Sequence, residues 1–137
     1  MKTLKIAGSA VAGVLLIAAS AHASAPPALY TDAQATAGAE VFAQNCAMCH
    51  GSDMKGSVGP ALIGQSFASV GSNTTVGSIF TVIAKQMPIN APGSLSQTQD
   101  EQAMAYILKQ NGYPSGSTPL SYNASSVSTV PLVSMVK

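Results

Sequence analysis

Cys46-Ala47-Met48-Cys49-His50 is the stretch on which the reading of this chain turns. The C-x-x-C-H spacing is that of a c-type haem attachment site. Two thiols separated by two residues can each add to one haem vinyl group, and the histidine after the second thiol is carried beneath the iron as a proximal ligand. Other chemistries explain less. A Cys46–Cys49 disulfide leaves the following histidine without a role, and a thioredoxin-like pair expects a preceding strand, which nothing upstream suggests. Half of a zinc site would need further ligands, and the only other histidine, His22, falls in a segment that reads as removable.

Upstream, residues 1–23 have the three parts of a secretory signal: Lys2 and Lys5, an apolar run from Ile6 to Ala19, and Ala21-His22-Ala23 as a small-x-small cleavage site before Ser24. The run of 14 residues is shorter than the ~20 a membrane-spanning helix needs, so no span is expected in the mature chain. A periplasmic location follows. Charged residues make up only 8% of the chain and aromatics 5%, which argues against nucleic-acid binding and against a disordered polyelectrolyte. From Ser24 onward four lysines face five carboxylates, a net charge of −1, and there is no arginine. Long-range electrostatic steering toward a partner is therefore expected to be weak.

The spacing of apolar residues predicts three main helices. Thr31-Asp32-Ala33-Gln34 has the form of a capping box, and Ala35, Gly38, Ala39, Phe42 and Ala43 then draw one stripe leading to Cys46. Gly38 inside this helix costs about 1 kcal/mol relative to alanine, which points to a close backbone approach. A second helix is expected over about 75–86, capped by Asn73 or Thr74 and ending before Met87-Pro88. Ser96-Gln97-Thr98-Gln99 opens a third, which stops at Asn111-Gly112. Residues 51–60 read as a loop and Pro60-Ala61-Leu62-Ile63-Gly64 as an apolar island able to cover one haem face. Phe67 either joins that island or packs elsewhere in the core. Residues 115–137 read as an extended tail lying on or beside a domain of residues 24–114, with a short edge strand expected within 127–135.

The sixth position on the iron separates an electron carrier from a catalyst or gas binder. No second histidine survives export, so five methionines come into question. Met48 and Met54 lie too near the attachment site to reach the opposite face, and Met104 sits beside a helical stripe that suits core packing. Met87, 37 residues beyond His50 and held in a loop by Pro88, is the leading candidate; Met135 or an open position are the alternatives.

The chain resembles the small single-haem class I c-type cytochromes over most of residues 30–113. The resemblance is carried by Cys46-Ala47-Met48-Cys49-His50-Gly51, Gly59-Pro60-Ala61-Leu62, Met87-Pro88, the helix with Ala105-Tyr106-Ile107-Leu108, and Gly38 with Phe42. It implies an all-α cytochrome c fold around one covalent haem c, held by Cys46 and Cys49, with His50 and Met87 as axial ligands; the apolar island would then set Leu62, and Phe67 where it joins, against the ring. It also implies that Gly38 crosses the last main helix near Tyr106, and that the Pro60 carbonyl accepts a hydrogen bond from His50. A narrower similarity runs through Met87–Ser96, Tyr106-Ile107-Leu108 and Asn111-Gly112-Tyr113-Pro114. It is to cytochromes that serve periplasmic dehydrogenases of the quinoprotein alcohol and molybdenum sulfite types. The lysine ring of better-known soluble cytochromes is missing, with only Lys55 and Lys85 near the expected site.

On this reading the protein is an electron carrier rather than an enzyme. A periplasmic dehydrogenase would be the donor, and a terminal oxidase or another cytochrome the acceptor. Two rivals stand beside it: a fixed cytochrome subunit of a dehydrogenase, docked through residues 115–137, and a catalytic or gas-binding haem protein. The latter expects a distal histidine or arginine, which the mature sequence does not offer.

Overall fold

In a computed structural model of the chain, residues 25–137 are described; the expected signal over residues 1–23 lies outside them. The first helix, α1 (Asp32–Asn45), starts where the sequence places it. The Thr31 hydroxyl accepts a hydrogen bond from the Gln34 amide, the Gln34 side-chain oxygen accepts one from the Thr31 amide, and Asp32 lies in the first turn, where its charge interacts favourably with the helix dipole. Cys46 caps α1, and a single further turn, α2 (Ala47–His50), carries the rest of the haem motif. Gly51, at φ 79°, ends that turn. A side chain there would be strained in the left-handed region.

Two more helices complete the frame. In α3 (Val76–Gln86) the N-cap is Thr75, later than either Asn73 or Thr74. Ser78 occupies the place that glutamate or glutamine takes in the usual capping box, and it bonds reciprocally with Thr75 at 3.0 Å each way. That exchange lies outside the sequence template, while the Thr74 carbonyl is taken by the amide of Leu132 at 2.9 Å. Helix α4 (Gln97–Gln110) follows from Ser96 through a full capping box and ends at Asn111.

Gly38 is the pivot of the α1–α4 packing. A Cβ at this position would run into the Gln102 carbonyl and come within 2.9 Å of the Tyr106 Cβ. Glycine thus allows the two backbones to meet, and one turn further along Phe42 packs on Tyr106 with ring centroids 5.5 Å apart. Phe42, Phe80, Met104 and Leu108 form the centre of the core, each 2% exposed or less. One charged group is buried beside them. Asp100 is 3% exposed, and its Oδ1 has no hydrogen-bond partner among the described residues.

The segment after α4 is tied to the frame along its length. Tyr30 donates to the Tyr113 carbonyl at 2.7 Å, and Gln34 exchanges two hydrogen bonds with the backbone of Leu120, so the side chain that caps α1 also holds this segment. It is not wholly extended: α5 (Tyr122–Ser126) is a short helix within it. Glu101 of α4 accepts from the Tyr122 amide at 2.7 Å, a cap supplied by tertiary structure that no local pattern would reveal. Tyr122 also packs edge-on against Phe80. The expected edge strand reduces, among the described residues, to one isolated antiparallel bridge between Thr75 and Pro131. The fold is all-α, as the helical spacing predicts.

Candidate haem site

The end of α1 leads directly into the motif, so Cys46, Cys49 and His50 stand on one continuous run of backbone against the core. Both cysteines are free and partly buried. Burial, and secondarily the neighbouring Cys49, pushes the Cys46 thiol above its ordinary pKa. Beyond His50 the loop folds back tightly: the amides of Gly56 and Gly59 donate to the carbonyls of His50 and Cys49, both at 2.8 Å. This brings the Pro60 carbonyl to 2.7 Å from His50 Nδ1. The carbonyl can only accept, so Nδ1 carries the proton and Nε2 is left as the ring's basic nitrogen, free to bind a metal. Gly59 eases the approach. A Cβ there would lie 3.0 Å from His50 Cε1 and 3.1 Å from Nδ1.

Around these residues opens a cleft of about 850 Å³. Its lining contains Cys46, Cys49, His50, the Pro60–Leu62 stretch, Phe67 and Met87, the residues that the sequence reading sets around the haem. Met87 caps α3 in the extended conformation that the following proline favours, φ −113° and ψ 153°. The other methionines are disposed differently. Met54 and Met104 are buried at 1% and 0% exposure, and neither they nor Met135 line the cleft. Met48 does line it, but it is 81% exposed.

Sequence reasoning missed part of the wall. The apolar residues of α3 are shared out: Val76 and Phe80 enter the core, Ile79 lines the cleft, and Ile83 belongs to both, buried in the core with one side on the cleft. Ala103 and Ile107 of α4 line it as well. A helical period reports which face is apolar, not what that face covers; the signal available was the position of Ile83 four residues before Met87. At the rim, Met48, Val58 and Ile89 are 81%, 88% and 71% exposed, and among the described residues no aspartate, glutamate or lysine lines the cleft.

The residues fit a covalently bound haem c: two free thiols at the C-x-x-C spacing, a histidine with its tautomer fixed, and an apolar cleft large enough for a flat cofactor. Fold and site together define a class I c-type cytochrome, a haem electron-transfer protein. Residues 33–107 match the family described as cytochrome c oxidase, cbb3-type, subunit III, and the chain belongs to that family of cytochrome c domains. A chain in the crystal structure of the sulfane dehydrogenase SoxCD from Paracoccus pantotrophus has a similar fold, with a TM-score of 0.52 and 23% identity. The match covers 71% of this chain and 51% of that one, so this protein spans about half the length of the chain it resembles. No curated protein sequence matches. Among the described residues no helix is long and apolar enough to cross a membrane.

Proposed function

We infer that the protein carries single electrons in the periplasm, accepting them from a dehydrogenase and passing them to a terminal oxidase or another cytochrome. The carrying observation is that His50 and Met87, from segments 37 residues apart in sequence, line one cleft with both cysteines. When bound, haem iron supplies a one-electron couple. Cys46 and Cys49 anchor the ring as thioethers, and His50 is held in place by the Pro60 carbonyl. Met87 would supply the second protein ligand to the iron, a soft thioether sulfur that favours the ferrous state and so a relatively high potential. Leu62 and Phe67 exclude water from one wall. With His50 and Met87 both engaged as ligands, the iron would offer no position to a substrate, which separates a carrier from a catalyst.

A dehydrogenase as donor is supported by the Met87–Ser96 similarity and by the fold shared with a chain from a sulfane dehydrogenase structure. Transient redox partners meet through small interfaces, below about 1,200 Å², and the apolar rim of Met48, Val58 and Ile89 suits such an encounter. The test is to mix oxidised holoprotein with periplasmic extract and an alcohol or sulfite. Substrate-dependent reduction, followed by reoxidation on adding membranes, is the expected result. No reduction with either substrate would remove the dehydrogenase donor, and peroxide turnover by the protein alone would replace the carrier with a catalyst.

A further inference from the structure

Three parts of the chain meet in one buried knot of hydrogen bonds: the end of α4, the loop from Leu62 to Ala68, and the last residues of the C-terminal segment. Asn111 is 0% exposed. Its Nδ2 donates to the carbonyls of Leu62 and Ile107, both at 2.9 Å, and its Oδ1 accepts from the Gly64 amide at 3.3 Å. Ser134, 2% exposed, holds the same loop from the other side. Its Oγ accepts from the Gly64 amide at 3.1 Å, its amide donates to the Ala68 carbonyl at 2.8 Å, and its carbonyl accepts from Gln65 Nε2 at 2.6 Å. The knot is closed by the Met135 amide, which donates to the Asn111 carbonyl at 2.9 Å. A buried polar network satisfied to this degree fixes one geometry, because each broken bond leaves a desolvated group unpaired.

Neither Asn111 nor Ser134 lines the haem cleft, but the loop they clamp carries Leu62 and Phe67, which do. We propose that Asn111 and Ser134 are positioning residues that hold the Leu62–Phe67 wall against the haem, so that the C-terminal segment helps to set the reduction potential. The physical link is the apolar shell: its fit controls water access and local dielectric, which tune the potential of an enclosed metal. A loosened wall admits water, water favours the more highly charged ferric site, and the potential falls. The clamp is made late in the chain, 72 residues beyond Leu62, and it acts only once that segment has docked.

The proposal rests on the ligation read above, and its test keeps the two apart. Ser134→Ala removes the hydroxyl that meets Gly64. Gln65→Ala breaks the link from the loop side, at an exposed residue whose replacement leaves the core intact. Holoprotein of each is compared with wild type by hydrogen exchange, visible spectrum and potentiometric titration. Both variants are expected to keep the attached haem and low-spin bands, to exchange the amides of Gly64 and Ala68 roughly tenfold faster, and to titrate at a lower midpoint potential. Faster exchange with an unmoved potential would reduce the knot to a structural strap and overturn the proposal. Unchanged exchange would overturn it too, by showing that no clamp exists. A wild-type spectrum without low-spin bands would overturn the ligation reading and this proposal with it.

Discussion

The Pro60 carbonyl oxygen lies 2.7 Å from His50 Nδ1, beside a bare Gly59 where a Cβ would press on the imidazole ring at 3.0 Å. The bond fixes the tautomer and aims the ring, so this geometry is testable through that glycine. Gly59→Val is expected to displace the Pro60 carbonyl, leave the haem attached and lower stability by about 1–3 kcal/mol, the usual range for forced overpacking. Denaturant unfolding of the holoprotein, with the visible spectrum as a second readout, measures both effects. Wild-type stability with an unaltered spectrum would show that the loop yields without disturbing His50.

Gly38 and Gln102 make the corresponding contact in the core. Alanine is the better helix former by about 1 kcal/mol, so local propensity alone predicts that Gly38→Ala stabilises. Packing predicts the opposite, because the added methyl would meet the Gln102 carbonyl, which belongs to the backbone of α4 and cannot swing aside. A net loss of about 2 kcal/mol or more is expected in urea unfolding. A gain would mean that α1 and α4 separate readily.

Asp100 carries the strongest pH dependence outside the site. Burial raises its pKa from 3.8 to about 6, Lys85 pulling it down and Glu101 pushing it up by smaller amounts. The folded value lies above the unfolded one, so the native state binds more protons between about pH 4 and 6, and stability falls as pH rises through that window. Asp100→Asn is expected to flatten this slope and to stabilise the protein by about 1–2 kcal/mol at pH 7. Urea midpoints from pH 4 to 8 check it; a wild-type curve that rises through the window would contradict the burial argument.

Electron exchange with a partner is expected to be nearly insensitive to salt. Among the described residues no aspartate, glutamate or lysine lines the cleft, and Lys55 is drawn toward Asp53 at 3.8 Å on the surface. Charge-steered associations slow steeply with ionic strength. Here stopped-flow rates with a dehydrogenase donor are expected to change by less than about twofold between 50 and 300 mM salt. A tenfold fall would place the docking surface on a charged face instead.

The parts of this protein legible in its sequence are those written in local rules. Capping boxes at Thr31 and Ser96, the proline after Met87 and the motif at Cys46 each fix backbone within four residues, and each is found where those rules put it. The crossing at Gly38 was legible because a helix-weakening residue in a helical stripe needs a reason. What escaped depends on distant partners. Ser78 in the cap of α3, Glu101 capping α5 and the bonds of Asn111 to Leu62 and Gly64 join residues whose pairing no periodic pattern encodes. Which α3 residues reach the cleft, Ile79 and Ile83, escaped for the same reason, since core and cleft are both apolar.

The central claim is that Met87 closes the iron opposite His50, and carbon monoxide tests it most directly. Visible spectra of the dithionite-reduced wild type and Met87→Ala would be recorded before and after adding the gas. The wild-type bands are expected to stay unchanged, while Met87→Ala keeps its haem on Cys46 and Cys49 and converts to the carbon monoxide complex. A wild type that binds carbon monoxide readily, or a Met87→Ala variant with an unchanged low-spin spectrum, would contradict the account.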